Sequence, residues 1–276
     1  MKRVQHTIAK SVSFSGNGLH SGLPVEMTLV PAAAGTGIVF CRTDLAGKPT
    51  VAARPDFVTD TNRATTLTCG EARVFTVEHV LSALYAMEID NCIIEMDSPE
   101  PPVADGGAKT FVDMILEAGI RDLETEADIL TLPHSIAAYE GQKFIVALPY
   151  DGLRITYTSM NPHPMLGTQV LDIEINPETY RAEIAAARTI GFTWELEAMR
   201  KMGLGKGGTL ENAIVYSETG CLSKLHWQDE LVRHKILDIL GDISLVGPVS
   251  AHIIAVNGSH KLNGELSEKL LALRTK

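Results

Sequence analysis

Residues 230–247 read ELVRHKILDILGDISLVG, and this stretch decides what kind of fold the chain can form. Its apolar residues recur at helical spacing, which predicts an amphipathic helix with one face in a core. An earlier stretch, FTVEHVLSALYAMEI at 75–89, has apolar residues at i, i+3, i+4 and i+7 from Val77. Each stretch places a charged residue and a histidine before a leucine-rich face. This likeness suggests that the chain has two similar halves.

Strands are predicted around both helices. VEMTLVPA (25–32) and GIVFCRT (37–43) alternate with period two, as half-buried strands do. Residues 134–160 are typical of short antiparallel strands, and residues 177–205 carry helical stretches. Residues 251–274 predict a strand, a turn and a final helix.

The fold class that follows is α+β, with two similar α+β halves, each a sheet layered with helices, and an active site between them. The charged stretch RDLETEADIL, at 121–130, is the best candidate for a boundary. We therefore predict a first α+β domain at residues 1–125 and a second at residues 126–276. Glu78 and His79 belong to the first domain, and His234, Asp238 and His260 to the second.

Composition excludes several classes of protein. The net charge is −10 with no basic run, so we expect no nucleic-acid partner. No stretch is apolar enough for a transmembrane segment, and the N-terminus lacks the apolar core of a signal peptide. The four cysteines form no C-x-x-C pair, which favours reduced thiols and a cytoplasmic location. We expect a monomer.

Metal chemistry is suggested by the spacing of His234 and Asp238, which lie four apart and would share one face of a helix. An imidazole and a carboxylate in this arrangement can bind zinc, and His79 could supply a third ligand. Three protein ligands leave one position for water, as in catalytic zinc sites. Glu78 would then accept a proton from that water. From the spacing alone, a surface pair or a satisfied polar contact is the more common interpretation of a histidine and an aspartate four apart on a helix.

Several blocks resemble one enzyme family. These blocks are NGLHSGLPVEMTLVPA, FTVEHVLSAL, IDNCIIEMDSPEPPVADGGAKTFV, ARTIGF, DELVRHKILDILGD and GSHKLN. Their order is similar to that of the UDP-3-O-acyl-N-acetylglucosamine deacetylases, the zinc amidases of lipid A biosynthesis. The resemblance spans nearly the whole chain, and the T-V-E-H and H-K-x-L-D-x-x-G-D blocks carry most of its specificity.

The resemblance implies a role for each matching residue. His79, His234 and Asp238 match the zinc ligands, and Glu78 matches the general base. Fe²⁺ is an alternative occupant of the same ligands, because affinity alone does not select the metal.

The resemblance also implies a second catalytic group. His260 matches a cationic histidine that stabilises the oxyanion and protonates the leaving amine, and Asp242 matches the carboxylate that orients it. Thr189 matches a threonine that hydrogen-bonds the oxyanion. We expect a low pKa for Glu78 and a raised pKa for His260, and hence a bell-shaped pH profile.

Substrate contacts are implied in two places. Lys235 follows the ligand histidine, as in the family, and should contact substrate. The segment from ARTIGF onward resembles an apolar passage for the acyl chain, with Ile190, Phe192 and Gly208 as substrate-binding residues. Ile190 stands where the family usually has an aromatic residue. An aliphatic wall can still hold an acyl chain, but the preferred acyl-chain length does not follow from the resemblance.

The expected function is removal of the N-acetyl group from UDP-3-O-acyl-N-acetylglucosamine, giving acetate and the free amine. Two other readings stay open from the residues alone. One is a zinc hydrolase that acts on another amide, and the other is a binding module with a degenerate metal site. Activity on the UDP-acyl-sugar and the content of bound metal would separate the three.

Overall fold

The first half of the chain is built mainly of strands. This computed structural model describes residues 3–274. Its first half contains β1 (Val4–Ile8), β2 (Val12–Asn17), β3 (Pro24–Pro31), β4 (Ile38–Arg42), β5 (Thr50–Ala52), β6 (Val58–Asp60), β7 (Thr66–Cys69), β8 (Ala72–Phe75), helix α1 (Glu78–Ala86), β9 (Cys92–Met96), helix α2 (Lys109–Ala118) and β10 (Ile120–Glu126). A short 3-10 helix at Pro55–Phe57 precedes β6.

The second half has more helix. It contains β11 (Leu130–Thr131), β12 (Ile136–Glu140), β13 (Lys143–Pro149), β14 (Leu153–Asn161), β15 (Gly167–Glu174), helix α3 (Pro177–Glu183), β16 (Thr189–Phe192), helix α4 (Thr193–Lys201), β17 (Ala213–Tyr216), helix α5 (Glu230–Ile243), β18 (Val249–Val256) and helix α6 (His260–Arg274). A 3-10 helix at Ser244–Val246 follows α5.

The two main sheets share one topology. The first has the strand order β2-β3-β9-β4-β5, and the second has β12-β13-β18-β14-β15. In the first sheet, β9, the strand after α1, is antiparallel to β3 and parallel to β4. In the second sheet, β18, the strand after α5, is antiparallel to β13 and parallel to β14 in the same way. The prediction of two similar α+β halves is therefore confirmed by the strand order.

Alternating side chains set the face that each sheet buries. Val25, Met27 and Leu29 of β3 are at most 2% exposed, and their chain neighbours are more accessible. In the second sheet, Ala251 and Ile253 of β18 are fully buried in the same alternating way. The period of two that predicts these strands thus places one face of each sheet against a shared aliphatic core.

The helices form a layer between the sheets. α2 packs on β2, α6 packs on β12 and β13, and α5 contacts β14. α1 contacts α5 directly, so the two amphipathic helices meet at the interface of the halves. Gly241 permits this approach, because a Cβ there would lie 2.2 Å from the carbonyl oxygen of Glu78. One close contact between the halves is thus made at the polar start of α1.

Each half carries an insertion at the same point of its topology. The insertion lies between β5 and α1 in the first half and between β15 and α5 in the second. In the first half the insertion includes the three-stranded sheet β6-β7-β8. In the second half it comprises α3, β16, α4 and β17, with β16 parallel to β17. The first insertion leads directly into α1, and residues 217–229 join the second insertion to α5.

Two details differ from the sequence predictions or leave them open. Of the antiparallel strands predicted across residues 134–160, β12 and β13 pair with each other, and β14 is antiparallel to β15 but parallel to β18. The charged stretch 121–130 is largely strand β10, which pairs with β1. The division between residues 125 and 126 therefore falls inside a strand, and it stays a prediction.

Two further features are the state of the cysteines and the length of the apolar helices. All four cysteines are free thiols. Between residues 3 and 274, no helix is both long enough and apolar enough to cross a membrane.

Candidate active site

The start of α1 is set by an unusual turn. Thr76, between β8 and α1, has φ of +57°, a conformation that β-branched residues rarely adopt. Its hydroxyl donates a hydrogen bond to Glu100 Oε1 at 2.8 Å, which helps hold the turn. The chain then enters α1 with Glu78 and His79 in the first turn, both buried and facing α5.

Three potential metal ligands converge between the halves. One ligand atom each from His79, His234 and Asp238 lies within 4.8 Å of the other two. The two imidazole centroids are 5.1 Å apart, and His234 Nε2 lies 3.4 Å from Asp238 Oδ1. All three side chains are buried. The convergence predicted from the sequence is therefore present, and two nitrogens with one carboxylate oxygen form a donor set suited to zinc.

Hydrogen bonds orient both imidazoles. His234 Nδ1 lies 3.0 Å from the carbonyl oxygen of Ala187, so donation there leaves Nε2 available as a ligand. His79 is hydrogen-bonded to the backbone of Gly107. Burial lowers the pKa of His79 to about 3 and also lowers the pKa of His234. Both rings are therefore held neutral, which is the form that binds metals.

Lys235 shapes the carboxylate ligand. Its Nζ donates to Asp238 Oδ2 at 2.8 Å, which leaves Oδ1 on the side of His234. Burial acts to raise the pKa of Asp238, but nearby positive charge, that of Lys235 foremost, outweighs it and holds that pKa well below its usual range. Lys235 also lines the cavity described below, where the predicted contact with substrate would be made.

A second polar pair lies beside the ligands. His260 Nδ1 is 2.8 Å from Asp242 Oδ2, and the same oxygen accepts from Asn263 Nδ2 at 2.8 Å. Burial acts against charge on His260, but the carboxylates of Asp242 and Asp238 outweigh it and raise its pKa to about 10. The predicted high pKa for this histidine is confirmed, and the ring is cationic at neutral pH.

Glu78 differs from its prediction. Its Oε2 accepts a hydrogen bond from the backbone nitrogen of Thr65 at 3.1 Å. Burial raises the pKa of Glu78 to about 7, although the nearby charge of His260 opposes this shift. The expected low pKa is therefore wrong, because the sequence does not reveal how completely this carboxyl is buried. A pKa near neutrality still suits a general base.

One cavity of about 870 Å³ collects most of these groups. Its polar part is lined by Glu78, His79, Thr189, His234, Lys235, Asp238 and His260. Its apolar part includes Ile190, Phe192, Leu196, Met199, Gly208, Leu210 and Leu222. Asp242 is not among the lining residues and lies against His260, as a group that acts through that histidine would.

The apolar part of the cavity belongs to the second insertion. Ile190 and Phe192 of β16 pack against a small core that includes Ile214 and Tyr216 of β17. Phe192 also stacks on Trp194 with ring centroids 4.7 Å apart. These contacts form an apolar wall next to Thr189, which lines the same cavity as the three candidate metal ligands.

Three contributors were not found from the sequence. Thr65 donates its hydroxyl to Asp242 Oδ1 at 2.5 Å. Gly107 lets the loop before α2 pack against the backbone of Ala187, because a Cβ at residue 107 would lie 2.9 Å from the carbonyl oxygen of Ala187. Gly241 brings the two helices together. A glycine inside a helix is unfavourable, so Gly241 carried a readable signal of close approach. Thr65 carried none.

Comparison with known proteins identifies relatives over nearly the whole chain. A sequence model of the family described as UDP-3-O-acyl N-acetylglycosamine deacetylase matches residues 5–272. A protein of Myxococcus xanthus is 42% identical over 97% of this chain and 86% of its own length. A protein of Chlamydia abortus is 42% identical over 98% of each chain, and one of Nitratidesulfovibrio vulgaris is 44% identical over 94% of this chain and 85% of its own. All three relatives are named UDP-3-O-acyl-N-acetylglucosamine deacetylase.

Proposed function

We propose, because this chain belongs to the UDP-3-O-acyl-N-acetylglucosamine deacetylase family, that it removes the N-acetyl group of that UDP-sugar with the help of a zinc ion. The reaction is the deacetylase step of lipid A biosynthesis. It consumes one water molecule and gives acetate and UDP-3-O-acyl-glucosamine.

The observation that carries this proposal is the meeting of His79, His234 and Asp238 at one end of a cavity whose other end is apolar. A buried, neutral pair of imidazoles and a carboxylate suits zinc, with Fe²⁺ as an alternative. When bound there, the metal would polarise the acetamide carbonyl and make water more acidic.

The protein's own groups supply the proton transfers. Glu78 lines the cavity beside His79 and would accept a proton from the attacking water. His260 faces the same cavity in its cationic form, so it would stabilise the oxyanion and then donate its Nε2 proton to the leaving amine. Asp242 holds the other ring nitrogen and so keeps this proton directed at the substrate. Thr189 would donate its hydroxyl to the oxyanion.

The cavity also suits both ends of the substrate. The apolar wall around Ile190 and Phe192 can take the acyl chain. Lys143 and Arg200 also bring positive charge to the cavity lining, whereas Arg63 and Lys235 there are paired with Glu195 and Asp238. The charges of Lys143 and Arg200 would favour the diphosphate of a UDP-sugar over a neutral amide.

The test is acetate release from UDP-3-O-acyl-N-acetylglucosamine, followed together with the appearance of the free amine by mass spectrometry. We expect turnover with one zinc ion per chain, loss of turnover after chelation, and recovery when zinc is restored. Turnover that is unchanged in metal-free protein would contradict the zinc proposal. Bound zinc with no turnover of this substrate would favour a different amide.

The remaining expectations concern the whole molecule. We propose a monomer in the cytoplasm with no nucleic-acid partner, supported by the acidic composition. Light scattering at micromolar concentration would test the monomer, and cell fractionation would test the location.

A further inference from the structure

The loop at residues 61–65, between β6 and β7, reaches from the first insertion to the catalytic carboxylates. Thr65 at its end is 2% exposed. Its backbone N–H donates to Glu78 Oε2 at 3.1 Å, and its hydroxyl donates to Asp242 Oδ1 at 2.5 Å. We propose that Thr65 is a positioning residue that holds the carboxylates of Glu78 and Asp242 in fixed relation across the two halves. This inference rests on the function proposed above.

The environment of Asp242 shows why the hydroxyl matters. Its Oδ2 is held by His260 and Asn263, each at 2.8 Å. Across residues 3–274, the Thr65 hydroxyl is the one protein group that hydrogen-bonds Oδ1. A carboxylate held at both oxygens cannot rotate, so the direction in which it presents Oδ2 to His260 is fixed. Without the hydroxyl, a buried charged oxygen would lack its donor and the carboxylate would turn.

The sheet of the first insertion fixes Thr65 itself. The next residue, Thr66, pairs in β7 with Phe75 at the end of β8. Phe75 lies three residues before Glu78, at the entrance to α1. The backbone N–H of Thr65 and the carboxylate it binds are therefore held by one short antiparallel ladder. The hydroxyl extends that rigid unit to Asp242 in the other half.

The two contacts of Thr65 can be separated chemically. Thr65→Val keeps the shape of the side chain and the backbone N–H to Glu78, but it removes the donor to Asp242. Thr65→Ser keeps both donors. Thr65 does not line the cavity, so neither change removes a contact with substrate. A loss confined to kcat is therefore the signature of misplaced catalytic groups.

The experiment measures kcat and KM for acetate release, bound zinc per chain, and Tm for the wild-type enzyme and three variants. For Thr65→Val we expect kcat to fall by about 10- to 100-fold, with KM and zinc content unchanged. Thr65→Ser should stay within about threefold of the wild-type kcat. Thr68→Val is the matched control, because it removes a hydroxyl on β7, the strand that follows Thr65, and this hydroxyl only pairs with the exposed Thr59. Its kinetics should equal those of the wild type.

Three results would overturn the positioning role: wild-type kcat in Thr65→Val, an equal loss in Thr65→Ser, or a loss explained by missing zinc. Should Thr65→Val fail to fold, Thr65→Ala in the same assays replaces it, again judged against rescue by Thr65→Ser. Failure of the proposed function is distinguishable, because the wild-type protein would then release no acetate.

Discussion

The two halves of the molecule share a strand order but contribute different chemistry. The first half brings Glu78 and His79 on the opening turn of a nine-residue helix, whose direction is set by the strained turn at Thr76. The second half brings His234 and Asp238 from the interior of a fourteen-residue helix. A repeated scaffold has therefore placed ligands at a helix start in one copy and within a helix in the other.

The insertions differ even more than the helices. Both occupy the same position in the topology, between the fourth sheet strand and the first long helix. The first insertion contains a loop, between β6 and β7, whose Thr65 reaches both Glu78 and Asp242. The second supplies the apolar wall of the cavity. The repeated sheets thus position the site, and in the proposed function the first insertion would align catalytic groups while the second would select the substrate.

Removal of the base should have the largest effect on rate. We expect Glu78→Gln to lower kcat by about 10³-fold, because the side chain remains polar but no longer accepts the proton. Acetate release measures the rate, and metal analysis should find zinc content unchanged. Substantial activity in this variant would show that Glu78 does not transfer the proton. The first half would then contribute only its candidate metal ligand, His79.

Loss of the Asp242 carboxylate, in the second half, should change the pH profile of kcat. His260 is active when protonated, and its pKa of about 10 keeps it so through neutral pH. Activity should therefore fall as the pH rises through this value. In Asp242→Asn the pKa of His260 falls, so we expect the alkaline limb of the kcat profile to move down by about one unit or more.

The control for this profile is Asp113→Asn, which alters an exposed carboxylate paired with Lys109. It should leave both limbs in place. An alkaline limb that is unmoved in Asp242→Asn would show that His260 is not the group that titrates.

The second insertion should affect selectivity more than rate. We expect Ile190→Ala to lower kcat/KM by about tenfold for a long-chain substrate, because part of the apolar wall is lost. A short-chain analogue should be nearly unaffected. Val170→Ala, at an exposed position of β15, is the control. Equal losses for the long and short chains would mean that this wall does not contact the acyl group.

A substitution at the interface of the halves should have the smallest effect, and this effect is on stability. Gly241→Ala would press a methyl group against the Glu78 carbonyl, at 2.2 Å, so we expect unfolding free energy to fall by about 1–3 kcal/mol. Urea denaturation measures this change.

Gly264→Ala in α6 is the matched control for that change. Its Cβ would lie 3.8 Å from Thr61, an ordinary contact. It should stabilise the helix by about 0.5–1 kcal/mol, since alanine is the better helix former. Equal responses of the two glycine variants would show that the helices adjust freely at the interface.

The sequence predicted the parts of this molecule that depend on local pattern. Amphipathic helices at α1 and α5 and the alternating strands β3 and β4 followed from apolar spacing, because burial of one face imposes that spacing. The pairing of β14 with β18 did not follow, because parallel neighbours are distant in the chain and leave no local mark.

The candidate site shows the same division. His234 and Asp238 could be paired because they lie one helical turn apart, whereas His79 could be named only as a possible third ligand until the family resemblance supported it. The pKa of Glu78 was mispredicted because burial depends on both halves at once. Thr65 could not be found, because a buried threonine acquires its role only from the carboxylates brought to it.

In the proposed site, one metal ion is held jointly by the two halves. Zinc content per chain, measured by mass spectrometry in the folded variants His79→Ala and His234→Ala, tests this sharing. We expect about one zinc ion in the wild-type protein and well under one in both variants, since each half would supply an essential ligand. Full zinc content in either variant would contradict a shared site.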